Sequence, residues 1–217
     1  MKLNPVNIFK FLEKVDNRPI PLKVKLLNKL PVTPEDLNVK GDLDLYGASI
    51  TSLPDNLRVS GYLDLGNTEI TSLPDDLEVG GNLNLFKTKI TSLPDNFKVG
   101  GGLNLSNTEI ASLPDDLEVG STLGLENTPI TSLPNNFKVG GSLNLKNTKI
   151  TSLPDNLEVP DYLYLNNTPI TSLPDNLKVN GNLYLGNTPL VKKYTGDQIR
   201  KMIEDAGGEI GSGIITT

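Results

Sequence analysis

Residues 62–81 read YLDLGNTEITSLPDDLEVGG, and residues 82–101 read NLNLFKTKITSLPDNFKVGG. The second stretch repeats the first with every leucine, isoleucine and valine position kept apolar. Working outward, the Leu-x-Leu pair recurs as Leu43/Leu45, Leu63/Leu65, Leu83/Leu85, Leu103/Leu105, Leu123/Leu125, Leu143/Leu145, Leu163/Leu165 and Leu183/Leu185, always 20 residues apart and without insertion or deletion. Each pair is followed by an isoleucine (Leu190 in the last unit), then by Ser-Leu-Pro, a leucine or phenylalanine, and a valine. A partial unit, Pro34-Glu35-Asp36-Leu37 with Val39, precedes the series. Self-similarity at such a period is the mark of a stacked array rather than of a globular core.

Six apolar positions in twenty cannot close a core alone, but stacked units share a continuous one. Leu-x-Leu has a period of two, so both leucines face inward and the residue between them faces out, as in a short strand. The remaining residues must return the chain to the next strand, and parallel strands in a right-handed coil do this naturally. Ser and Asp three apart in Ser-Leu-Pro-Asp resemble a capping box, which predicts one 3-10 or helical turn in a return that is otherwise extended. The glycine pairs Gly80-Gly81, Gly100-Gly101 and Gly140-Gly141 are read as turns into the next strand.

These residues resemble a known family. The segment L-x-L-x-x-T-x-I is similar to the second half of the leucine-rich-repeat signature, L-x-L-x-x-N-x-L. The return I-T-S-L-P-D-N-L resembles the 20-residue, proline-containing repeats of bacterial secreted effectors and of short-repeat proteins of bacteria and their phages. The resemblance covers residues 33–190 and implies an α/β repeat: a leucine-rich-repeat solenoid, short parallel strands on its concave face. The family's inward asparagine is here Thr68, Thr88, Thr108, Thr128, Thr148, Thr168 and Thr188, with Ala48 in the first unit. Effector-type ubiquitin ligases of this kind add a catalytic domain with an essential cysteine; this sequence has no cysteine, so that activity does not carry over.

The flanks read as caps, giving an N-terminal helical cap at 1–32, the solenoid at 33–190 and a helix-strand cap at 191–217. Asn4-Pro5 opens a helix whose apolar face is Ile8, Phe9, Phe11, Leu12 and Val15. Thr195 and Gln198 form a second capping box. Ile199, Met202, Ile203 and Ala206 are expected to face inward, Gly207-Gly208 to stop the helix, and residues 209–217 to add a final strand.

Composition narrows the function. With no Cys and no His there is no disulfide, no thiolate or imidazole metal site and no Ser-His-Asp triad. No apolar run approaches membrane-spanning length, and Met1–Lys10 lacks the apolar core of a secretory signal. Net charge is −6, which argues against nucleic acid. The charge is uneven: residues 1–40 carry eight Lys or Arg against four acids, 41–190 eight against eighteen, and 191–217 four against four.

Candidate sites lie on the outward side of the strands. Its central column is Asp44, Asp64, Asn84, Asn104, Gly124, Asn144, Tyr164, Tyr184, and its flanking column is Asp42, Tyr62, Asn82, Gly102, Thr122, Ser142, Tyr162, Asn182. The repeat does not demand these side chains, so their variation is informative. Tyr162, Tyr164 and Tyr184 gather at one end as aromatic anchors, and Asp42, Asp44 and Asp64 at the other. The acids suit an oxygen-ligated cation in type but not in number, and a solvated acidic surface explains them as well. The residue before each repeat valine alternates in sign without exception: Arg58, Glu78, Lys98, Glu118, Lys138, Glu158, Lys178. The expectation is a non-enzymatic, cofactor-free module that binds a protein partner on the concave face. It is expected in the cytoplasm of a bacterial or phage-infected cell, with secretion as an effector left open. A structural role in a virion or assembly, and glycan binding by the Tyr/Asn surface, stand as alternatives.

Overall fold

The structure is a computed structural model that describes residues 19–217 together with Asn7 and Lys14. The apolar face of the helix expected over Asn4–Val15, Ile8, Phe9, Phe11, Leu12 and Val15, lies outside the described residues. From Asn38 onward the chain winds into stacked coils. The Leu-x-Leu segments form one parallel sheet of nine strands, running from Leu43–Asp44 through Leu183–Tyr184 to a closing strand at Ile214–Ile215. Its register is strict: Leu43 pairs with Leu63, Leu63 with Leu83, and so on to Leu183 with Ile214. We call it the face sheet. Leu63, Leu65, Ile70, Leu73, Leu77 and Val79 are all buried, and equivalent side chains of neighbouring coils continue them into one core. Each such side chain contributes roughly 1.5–3 kcal/mol before conformational entropy is subtracted.

The inward threonines are buried in every full coil, and each donates its hydroxyl to the carbonyl three residues back, as Thr68 Oγ1 does to Leu65 O at 2.6 Å. A hydroxyl therefore does inside this array what the family's asparagine is placed to do. The residue before each threonine turns the chain: Asn67, Asn107, Asn127, Asn147, Asn167 and Asn187 all have φ near +60°, as does Lys87 before Thr88, a region asparagine tolerates better than most residues. Their amides also link coil to coil, with Asn187 Nδ2 donating to Asn167 Oδ1 at 2.9 Å and Asn167 Nδ2 to Asn147 Oδ1 at 2.7 Å.

Of the two kinds of return expected, turn/3-10 or extended, the full coils take the extended one. A second two-residue strand precedes each turn into the face sheet, at Arg58–Val59, Glu78–Val79 and their equivalents, so the coil has two strands rather than one. These return strands form a six-stranded sheet from Asn38–Val39 to Lys138–Val139 and a separate three-stranded sheet from Glu158–Val159 to Glu209–Ile210. The capped helical turn expected at each Ser-Leu-Pro-Asp is also absent from the full coils, where the segment is extended and then turns. It occurs once, as the 3-10 helix Pro34–Leu37, capped by Thr33 and Asp36. The leucine before the proline explains the difference. Leu53, Leu73 and Leu93 are drawn into the core, which holds the backbone extended; Thr33 occupies that place in the partial unit and is free to cap instead.

The glycine pairs sit at the bends into the face strands as expected, but not for the freedom of φ that turns call for. None has positive φ. A side chain at Gly80 would lie 2.6 Å from Ser60 O, and one at Gly81 2.7 Å from Gly61 O. They are glycines because successive coils touch backbone to backbone there.

Both ends are closed. At the N-terminal end, helix Leu22–Leu27 places Lys25 against Asp36 in a mostly buried ion pair, Nζ to Oδ2 2.7 Å. At the other end, Thr188 caps a short helix, Pro189–Lys193, and the Thr195/Gln198 box opens helix Gly196–Asp205. Ile199 and Ile203 are buried as expected. Met202 is not: it is 41% exposed, because it lies on the outer flank of a helix whose seam onto the array is only two side chains wide. Gly207, at φ +78°, ends the helix. Glu209–Ile210 and Ile214–Ile215 then extend both sheets by a strand. Arg200, on that helix, donates to Ile210 O at 3.0 Å and also to Ser212 O.

Candidate functional site

The outward side of the face sheet carries three columns of side chains, one more than the sequence reading counted. The third runs Tyr46, Gly66, Phe86, Ser106, Glu126, Lys146, Asn166, Gly186. It went unread because Leu-x-Leu ends the apolar pattern one residue earlier, while the ladder itself continues, with Gly47 N donating to Gly66 O at 2.8 Å and Asn67 N to Phe86 O at 2.7 Å.

The three tyrosines come together. Tyr164 and Tyr184 are opposite one another in register and stack at 4.6 Å between ring centroids, 12° from parallel. Tyr162 sets its ring at 6.2 Å from Tyr164, and edge-on to Tyr184 at 6.4 Å. Lys146 Nζ lies 4.5 Å above the Tyr164 ring, and Ile215 follows Tyr184 in register. A cation, two rings and an aliphatic side chain thus succeed one another along the array. Tyr162 remains the most open of the three, 43% exposed. Burial raises the Tyr164 hydroxyl above its ordinary pKa, and the neighbouring Tyr184 and Tyr162 add to the shift.

The acidic end has a different character. Asp44 Oδ1 accepts from Tyr46 N at 2.9 Å, and its other oxygen lies 3.6 Å from Lys23 Nζ. Asp64 accepts from Gly66 N, from Asn84 Nδ2 and from the Tyr62 hydroxyl, all within 2.9 Å. Asp42 accepts from Tyr62 N at 2.7 Å. Burial together with the Asp64 carboxylate pushes the Tyr62 hydroxyl up to about 12. Asn84, Asn104 and Asn144 make the same bond to the N–H two residues on. Five residues of the central column, Asp44, Asp64, Asn84, Asn104 and Asn144, thus do structural work that the sequence reading did not assign to them, satisfying a backbone donor at the end of the strand. Gly124, Tyr164 and Tyr184 cannot make that bond and depart from this pattern. No cluster of three or more metal-ligating side chains occurs among the described residues.

Between the two ends lies a polar depression of about 560 Å³ floored by Gly102 and Gly124 and bordered by Tyr62, Asn84, Asn104 and Asn144. The alternating charges lie on the return side. They form discrete pairs rather than a continuous chain: Arg58–Glu78 at 3.0 Å, Lys98–Glu118 at 2.9 Å and Lys178–Glu158 at 2.9 Å. A fourth pair, Lys89–Glu69, belongs to a different column.

No protein-family model matches this chain, and no curated protein matches it significantly. Solved structures do. One, described as the structure of a Shigella effector LRR domain, aligns over 96% of this chain and 98% of that one, with a TM-score of 0.54 and 21% sequence identity. The fold is that of a leucine-rich-repeat solenoid. No helix among the described residues is long and apolar enough to cross a membrane.

Proposed function

We propose that this solenoid is a non-catalytic protein-interaction module of a bacterial or phage-encoded protein, acting inside a bacterial cell and binding its partner through Tyr162, Tyr164 and Tyr184 on the strand face. The observation that carries the reading is the replacement of backbone-satisfying Asn and Asp by two stacked tyrosines, with a third, more exposed ring beside them. Tyrosine offers large contact area at low entropic cost and is enriched where binding energy concentrates. The likeness to a Shigella effector domain supports the bacterial setting and a fold that serves as a scaffold. The acidic end supplies a rim that favours a basic partner through long-range attraction rather than through direct bonds, since its carboxylates are already engaged.

The test is quantitative affinity capture from bacterial lysate with the wild-type chain and the double variant Tyr164→Ala, Tyr184→Ala. A protein held by the first and lost by the second, at a cost of about 2–4 kcal/mol in direct titration, is the expected result. A partner that the double variant holds normally, and that is lost on changing Asp44 and Asp64, overturns this assignment.

A further inference from the structure

The two parts of the return sheet meet at Val159-Pro160-Asp161, where the repeat elsewhere carries Val-Gly-Gly or a close variant. At every other step, two or three backbone hydrogen bonds join one return segment to the next. One step earlier, Lys138 N donates to Leu117 O at 3.0 Å and Gly140 N to Val119 O at 2.8 Å. One step later, Lys178 N donates to Leu157 O, Asn180 N to Val159 O and Gly181 N to Asp161 O, at 2.7–3.1 Å. Between residues 137–141 and 157–161 there is none. Pro160 has no N–H to give Val139 O. Pro160 and Asp161 also carry side chains where the glycine pairs elsewhere let coils touch backbone to backbone.

Burial also weakens at the same step. Val139 is 7% exposed, whereas Val59, Val79, Val99, Val119, Val159 and Val179 are all at 4% or less. The face sheet, in contrast, crosses the step unbroken: Leu143 N donates to Tyr162 O and Leu145 N to Tyr164 O, both at 2.9 Å.

We propose that the solenoid is jointed at Pro160, residues 158–217 flexing against residues 38–146 about the continuous face sheet as a hinge line. In a stacked array each coil is held only by its neighbours, so the step with the fewest contacts sets where the array opens. Tyr162, Tyr164 and Tyr184 all ride on one side of the joint and Lys146 on the other. Flexing therefore changes the contact between Lys146 and the Tyr164 ring.

Amide hydrogen exchange read residue by residue by NMR tests this on the full chain. The Leu143 and Leu145 amides, which bridge the joint, exchange about tenfold or more faster than those of Leu103 and Leu105 before it and of Leu163 and Leu165 after it. The later pair separates a joint from simple fraying, which makes protection fall steadily toward the end of the array. The variant P160G/D161G restores the repeat's Val-Gly-Gly and removes the local minimum. Asn180→Pro added to that variant takes the N–H from the next step and moves the minimum to Leu163 and Leu165. Uniform or steadily falling protection in the wild-type chain, a minimum that survives P160G/D161G, or one that Asn180→Pro fails to move overturns the proposal.

Discussion

Arg200 holds Ile210 in the way a further coil would. At every step of the return strands except the one at Pro160, a repeat valine's carbonyl accepts from a backbone N–H one coil on, as Val59 O does from Gly80 N at 2.9 Å. Ile210 stands in the valine register beside Val179, and there the donor is the Arg200 guanidinium, whose second arm reaches Ser212 O. The planar fork supplies two parallel donors, so one side chain replaces the pair of amides that Gly80 and Gly81 give elsewhere.

Replacing Arg200 by methionine keeps the aliphatic stem and removes both donors. The two carbonyls then lose charge-assisted bonds, and stability in urea falls by about 1.5–3 kcal/mol. The freed edge also favours self-association, visible as concentration-dependent sedimentation. A methionine variant that unfolds like the wild type assigns the capping role elsewhere.

Glu118→Lys places three lysines in register, at positions 98, 118 and 138, and removes the 2.9 Å pair with Lys98. The hydrogen bond from Lys98, with its charge and that of Lys138, holds the Glu118 carboxyl below its ordinary pKa. The melting temperature drops at low ionic strength, and the gap to wild type narrows as salt is added. Identical melting curves at low salt remove the electrostatic reading of the column.

Asp36 makes the N-terminal closure acid-sensitive. Burial alone would raise its pKa, but the Lys25 hydrogen bond, with those from Thr33, outweighs burial and holds the carboxyl below its ordinary value. A lowered folded-state pKa means that the contribution is complete above the unfolded value of about 3.9 and disappears as pH falls through the folded one. The stability difference between wild type and Asp36→Asn is thus constant near neutrality and shrinks below about pH 4. Denaturant titrations at stepped pH measure it, and a difference that persists undiminished in acid contradicts this account.

Gly120→Ala puts a methyl group against Gly100 O, closer than real carbon–oxygen contacts allow. The coil must shift, at about 1–3 kcal/mol. Asn180→Ala, at the equivalent place in another coil, already has room for a Cβ and changes stability little. Equal effects in the two variants refute the close-approach reading.

Much of the fold follows from the 20-residue period, because every inward position is set by burial and burial is written in residue type. The strand pairing, the buried threonines and the terminal capping box are read from Leu63, Thr68 and Thr195 directly. What escapes is whatever depends on a neighbouring coil. Gly80 reads as a turn residue until the carbonyl of Ser60 is seen beneath it. Asp64 reads as a free carboxylate until the N–H of Gly66 and the hydroxyl of Tyr62 are found upon it. Arg200 gives no signal at all, since its partners are backbone atoms brought to it by the docking of a helix. The tyrosines are legible because they stand where other units hold mostly Asn, Asp, Ser or Gly; Val159-Pro160-Asp161 went unread, although its departure from Val-Gly-Gly is present in the letters.

The alternation of charge next to the repeat valines does not stop at Lys178. Glu209 stands opposite it in register, within the closing unit, and adds to the forces that raise the Lys178 pKa. Arg58 and Glu209 are thus the two fixed ends of an alternating series. Removing or inserting a single coil between them sets like charges face to face at the splice, whereas two coils restore the match. The array therefore has a parity: its length can change by even numbers of coils without electrostatic conflict, and every odd change leaves one mismatched step.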